Sequence, residues 1–118
     1  MASRILVVDD DPDARAICGS LLSHFGYDVI LADDGIEGVD LAHREEPELI
    51  LMDIMMPGVS GFTAVDVLRR SVRTREIPVV AMSLYDPHPE EIRQAGFDGF
   101  LPKPFSPHEL IDVVDRWV

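Results

Sequence analysis

The chain has 118 residues, 47% hydrophobic and 27% charged, a balance that suits one soluble globular domain. Its 22 acidic and 10 basic side chains leave a formal charge of -12, which argues against nucleic acid or an anionic membrane surface as a direct partner. The single cysteine excludes an internal disulfide framework, no apolar run is long enough to span a bilayer, and Met1–Arg4 is too short for a secretory signal, so cytoplasm is the expected compartment.

Along the chain two periodicities alternate. Ile5–Val8 is an unbroken apolar run that stops at Asp9, Asp10 and Asp11, and reads as a buried parallel strand. Pro12 suits the first turn of a helix with Asp11 as its N-cap; Ala14, Ile17, Cys18, Leu21 and Phe25 form the expected inward stripe, and Gly26 closes it. A second strand follows over Asp28–Ala32. Asp34-Gly35 opens a helix whose expected inward face is Ile36, Val39 and Ala42, and Pro47 leads to the third strand, Leu49–Asp53. Pro57 and Gly58 turn the chain, Ser60-Gly61 opens a third helix, and Phe62, Val65 and Leu68 mark its buried side. Ile77–Met82 is a fourth strand ending at Ser83. A short helix over Glu90–Ala95 stops at Gly96, and Gly99–Pro102 supplies a short fifth strand. Ser106-Pro107-His108-Glu109 has capping-box form, and the helix it opens carries Leu110, Val113, Val114 and Trp117 on one stripe. Strict strand–helix alternation implies an α/β fold, a doubly wound parallel sheet covered on both faces, forming one domain over residues 1–118.

In such a sheet the polar site forms beyond the carboxyl ends of the strands. Asp9 and Asp10 end the first strand, Asp53 the third and Ser83 the fourth, while Lys103 follows the fifth. Clustered carboxylates raise one another's pKa unless a cation offsets them, and an oxygen-only donor set suits Mg²⁺ or Mn²⁺. No His or Cys lies at zinc-ligand spacing. A helix N-terminus dressed with acids explains Asp11 fully, but explains Asp9 and Asp10 poorly once Asp53 lies on the adjacent strand. The methionines read as core and loop filler, Cys18 as inert packing, and His24, His43, His88 and His108 as exposed residues at helix termini.

These segments resemble the receiver domain of two-component response regulators. ILVVDDDPDAR is similar to that family's first strand and acidic pair, LILMDIMMPGVSG to its phosphoacceptor segment, VVAMS to its fourth strand with the hydroxyl residue, and GFLPKPF to its fifth strand with the Lys-Pro pair. The likeness covers essentially the whole chain. It implies a flavodoxin-like sheet of order 2-1-3-4-5 with five helices, and a cis peptide at Lys103-Pro104. It further implies Asp53 as phosphoacceptor for a histidine kinase or histidine phosphotransfer protein. Asp9, Asp10, Asp53 and the Met55 carbonyl would be the Mg²⁺ (or Mn²⁺) site, Ser83 and Lys103 the phosphoryl-binding pair, and Phe100 the switch aromatic. The protein would not be an enzyme beyond promoting its own phosphorylation and dephosphorylation, and would be a monomer or a phosphorylation-dependent dimer.

Two features depart from the family pattern. Leu84 stands where a very small residue is usual, followed by Tyr85, and the pair is expected to narrow the path to the phosphoryl group. The stretch from Ser83 to Phe100 is slightly shorter than usual and contains Pro87 and Pro89, which alters the surface receivers commonly use for output. The apolar ending Trp117-Val118, with no linker after it, favours a stand-alone receiver over a fragment of a longer regulator. Three rivals share parts of the pattern. A flavodoxin-like flavin protein needs a phosphate cradle where Asp9-Asp10-Asp11 would repel one. A Mg²⁺-dependent aspartyl-phosphate phosphohydrolase needs a second acid where Met55 stands. A receiver fold that has lost phosphate signalling would not keep the full set of site residues.

Overall fold

Strand and helix alternate through the computed structural model, which describes residues 2–84 and 86–118. The elements are β1 (Arg4–Val8), α1 (Pro12–His24), β2 (Asp28–Ala32), α2 (Gly35–Glu45), β3 (Leu49–Asp53), α3 (Gly61–Arg69), β4 (Val79–Ser83), α4 (Pro89–Ala95), β5 (Gly99–Pro102) and α5 (Pro107–Trp117). All neighbouring strands pair in parallel, in the order β2-β1-β3-β4-β5. From β1 the chain builds outward to β2 on one side and returns to β3 on the other. The order therefore reverses between β1 and β3, where a doubly wound sheet opens its crevice.

Successive side chains of a strand point to opposite faces, so an unbroken apolar run feeds two cores. Ile5, Val7, Leu49, Leu51, Val80 and Met82 meet Cys18 and Leu22 of α1 and Leu110 and Val114 of α5. Leu6, Val8, Ile50, Met52, Val79 and Ala81 face the other way, onto Ala42 of α2, Val65 and Leu68 of α3 and Ile92 of α4. Full burial of one such aliphatic side chain is worth about 1.5–3 kcal/mol, which is why the central strands carry no polar residue before their ends.

The helix starts follow their capping chemistry. Asp11 accepts the Asp13 N–H at 3.0 Å, Asp34 the Glu37 N–H at 2.8 Å and Ser60 the Thr63 N–H at 3.3 Å. Ser106 and Glu109 close the capping box. α4 is capped by His88, whose Nδ1 accepts the Glu90 N–H at 3.1 Å. β4 begins later than the apolar run implied: Pro78 has no N–H to give a ladder, and its carbonyl instead accepts the Ile50 N–H at 3.0 Å.

Three side chains expected inside are outside. Ile17 and Phe25 of the α1 segment are 59% and 56% exposed, with Cys18 and Leu22 taking the buried phase, and Ile36 of α2 is 69% exposed while Gly35 and Gly38 take the contact. His43 also departs from expectation. It is half-buried within α2, its Nδ1 3.0 Å from the Val39 carbonyl and its Nε2 2.9 Å from Ser71 Oγ.

Candidate functional site

The strand register brings the polar ends together. Val8 lies opposite Met52, Asp53 opposite Met82, and Ser83 opposite Pro102, so the residues that follow share one edge of the sheet. Asp9 continues β1 by donating its N–H to the Ala32 carbonyl at 3.1 Å. Its side chain is fully buried, with Oδ1 accepting the Asp11 N–H at 3.0 Å. Asp53 closes β3 and is 6% exposed, its Oδ1 accepting the Met55 N–H at 3.0 Å. Ser83 is buried at the end of β4, and its carbonyl accepts the Lys103 N–H at 2.8 Å. The Lys103-Pro104 peptide is cis.

Lys103 Nζ donates to Asp9 Oδ2 at 2.7 Å and to Asp53 Oδ2 at 3.2 Å, bridging two strands with one ammonium. Burial pushes the Asp53 carboxyl above its usual range; the Lys103 charge opposes this and the Asp9 charge adds to it. For Lys103, burial acts against the ammonium, yet the hydrogen bond to Asp9 and the charges of Asp53 and Asp9 outweigh it and raise its pKa. The two rises have different causes: loss of water at Asp53, and the pull of two carboxylates at Lys103.

Asp10 completes the group. Carboxylate oxygens of Asp9, Asp10 and Asp53 lie within 4.8 Å of one another, and Asp10 alone of the three is exposed. Three carboxylates against one ammonium leave two negative charges uncompensated. Hard oxygen donors with that deficit fit a small divalent cation of the Mg²⁺ class. The described residues contain no other such group of His, Cys, Asp or Glu.

A family model for the response regulator receiver domain matches residues 5–115. The chain belongs to the response regulator receiver family. The receiver is 41% identical to the DNA-binding dual master transcriptional regulator RpaA of a Synechocystis species, over 92% of this chain and 46% of that protein. It is 34% identical to Protein PilH of Pseudomonas aeruginosa, over 96% of this chain and 95% of that one. It thus spans about half the length of the first relative and nearly all of the second. Among solved structures, the receiver domain of sensor histidine kinase PA1611 from Pseudomonas aeruginosa superposes with a TM-score of 0.91 at 32% identity, covering 99% of this chain and 98% of that one. That crystal structure holds a magnesium ion coordinated in the active-site cleft.

The sheet edge gathers Asp9, Asp10, Asp53, Ser83 and Lys103, with Phe100 and Leu84 at its margins. Phe100 is half-buried on β5, packed against the core shared by α2, α3 and α4. Leu84 is 79% exposed just past Ser83, and Tyr85 lies outside the described residues. Two contacts gave no signal in the sequence, because each has a main-chain atom at one end: the Met55 N–H on Asp53 Oδ1, and Arg15 Nη1 on the Asp9 carbonyl at 2.7 Å. No helix of the described residues is long and apolar enough to cross a membrane.

Proposed function

We propose that this receiver is a phosphorylation-controlled switch in which Asp53 accepts a phosphoryl group from a phosphohistidine on a histidine kinase or phosphotransfer protein. The observation that carries the reading is the Lys103 ammonium held between Asp9 and Asp53 beside an open Asp10. A carboxylate oxygen of Asp53 forms the new P–O bond while the P–N bond of the donor breaks, its electron pair leaving with the imidazole nitrogen. Asp10, Asp53 and the Met55 carbonyl, with Asp9 directly or through a water, would hold Mg²⁺ (or Mn²⁺), which supplies positive charge to the phosphoryl oxygens. Lys103 gives the second positive contact, and the raised pKa keeps it protonated for that task. The Met55 N–H fixes the Asp53 carboxylate so that its other oxygen meets the donor.

The acyl phosphate would then take Ser83 as a hydrogen-bond donor, drawing the end of β4 inward. Phe100 on the neighbouring strand would follow and change the α4–β5 surface presented to a partner or a further domain. The work is done in the cytoplasm, by a monomer or a phosphorylation-dependent dimer.

Intact-mass spectrometry after incubation with acetyl phosphate and Mg²⁺ tests the assignment. One phosphoryl addition is expected, abolished by Asp53→Asn and by EDTA. Undiminished labelling in either condition sinks it.

A further inference from the structure

Asp9 is held from four directions. Its N–H goes to the Ala32 carbonyl, its Oδ1 receives the Asp11 N–H, its Oδ2 receives Lys103, and its own carbonyl receives Arg15 Nη1 at 2.7 Å. The first three anchor the residue itself. The fourth anchors the peptide plane that joins Asp9 to Asp10, because a peptide's carbonyl and the next Cα move as one rigid unit. Asp10 has no hydrogen bond or ion pair of its own among the described residues. The main chain therefore sets the one bond, Cα–Cβ, from which its carboxylate swings, and the main chain there is held by Arg15.

Arg15 is placed for this by α1. Its N–H donates to the Asp11 carbonyl at 2.9 Å, one turn back, and its half-buried side chain returns over that turn to the end of β1. In a chain with 22 acidic side chains, this guanidinium makes no ion pair among the described residues and is spent on a carbonyl. We propose that Arg15 is a positioning residue of this site, fixing the Asp9–Asp10 peptide so that the Asp10 carboxylate is aimed at the divalent cation. The inference rests on the reading of the site as a metal-dependent phosphoacceptor.

Two physical roles for Arg15 predict opposite signs. As a mere positive charge beside the acids it would repel a divalent cation, and its removal would tighten binding. As a positioning residue its removal loosens Asp10 and weakens binding. Losing one outer-shell hydrogen bond that orients a metal ligand corresponds to about a 10- to 100-fold loss of affinity.

The test is calorimetric titration with Mg²⁺ alone on wild type, Asp10→Asn, Arg15→Ala, Arg15→Gln and Arg15→Lys, alongside thermal unfolding without metal. Wild type should bind Mg²⁺ and Asp10→Asn should lose most of it; a wild type that takes no Mg²⁺ overturns the reading of the site and this inference with it. Given binding, Arg15→Ala should weaken it while metal-free unfolding stays close to wild type. Arg15→Lys, which keeps a donor able to reach the carbonyl, should recover part of the loss, and the uncharged Arg15→Gln should recover less. Unchanged or tighter Mg²⁺ binding in Arg15→Ala overturns the proposal. So does a loss of affinity that merely tracks a loss of metal-free stability across the three Arg15 variants.

Discussion

Cys18 shows how far the site's field reaches into the core. Its thiol is 2% exposed on the inner face of α1, and burial first, then the negative charge of Asp9, push its pKa from 9.0 to about 11. The folded thiol therefore keeps its proton where the unfolded one has lost it. Stability from this group is fully present below the unfolded value and falls away as pH rises toward about 11. A shift of this size corresponds to roughly 2–3 kcal/mol. Tyr27, held up to about 12 by its hydrogen bond to Asp115, titrates in an overlapping range, so wild type alone does not isolate the thiol. Denaturant unfolding at a series of pH values should show the stability gap between wild type and Cys18→Ala shrinking by that amount across the window. A gap that stays constant with pH would mean that the buried thiol is not the linked group. At lower pH the same burial should keep Cys18 unreactive toward thiol reagents until the chain unfolds.

At the scale of elements, the join between β3 and α3 decides where Asp53 sits. Gly61 is the first residue of α3, and a Cβ built there would stand 2.5 Å from the Asp53 carbonyl oxygen and 2.7 Å from Ile54 Cα. Both are main-chain atoms that cannot swing aside. Gly58, in the preceding turn, is the converse case: a Cβ meets nothing within 4 Å, but its φ of 76° is left-handed. Gly61→Ala should thus cost roughly 2–3 kcal/mol and slow phosphorylation by displacing Asp53. Gly58→Asn should be mild, since asparagine tolerates the left-handed region. Equal effects of the two substitutions, in unfolding and in acetyl phosphate labelling, would contradict the close approach. Glycines of this kind also explain what the sequence concealed. Apolar runs ending in acids announced the strands and the site they deliver, because burial and charge are written in residue type. The faces of α1 and α2 were less legible. α1 carries apolar residues on both sides, so a stripe with Ile17 and Phe25 fitted its spacing and left out Leu22, which is the residue buried. In α2 the contact is made by Gly38, whose added Cβ would come within 2.8 Å of Val8 Cγ2, and glycine carries no hydrophobic signal. Arg69 was equally silent: it ties α3 to the Gly96 and Ile77 carbonyls at 2.8 and 2.7 Å and to Asp98, bonds that no spacing of residue types reveals.

For the molecule as a whole, the formal charge of -12 and the cluster at the sheet edge act in the same direction, favouring cations over the bare protein. Asp53 makes the local part of this explicit. Its pKa is raised by folding, so the stability linked to it is present below the ordinary carboxylate range and lost as pH rises. Once ionised, the buried carboxylate costs the fold stability. Two kinds of cation should relieve the two parts differently. Sodium chloride screens the distributed charge and should raise the melting temperature gradually. Mg²⁺ at the same ionic strength should raise it further, because binding only to the folded state adds about 2.7 kcal/mol at a hundredfold excess over Kd, or about 10 °C for a domain of this size. Asp53→Asn separates the terms. It keeps an acceptor for the Met55 N–H while removing the buried charge, so the metal-free variant should melt above wild type and gain less from Mg²⁺. Differential scanning calorimetry of both proteins in matched NaCl and MgCl₂ measures all four values. A variant that melts below wild type without metal would show that Asp53 is held mainly by its ion pair with Lys103. Equal gains from the two salts would show that the sheet edge responds to ionic strength alone.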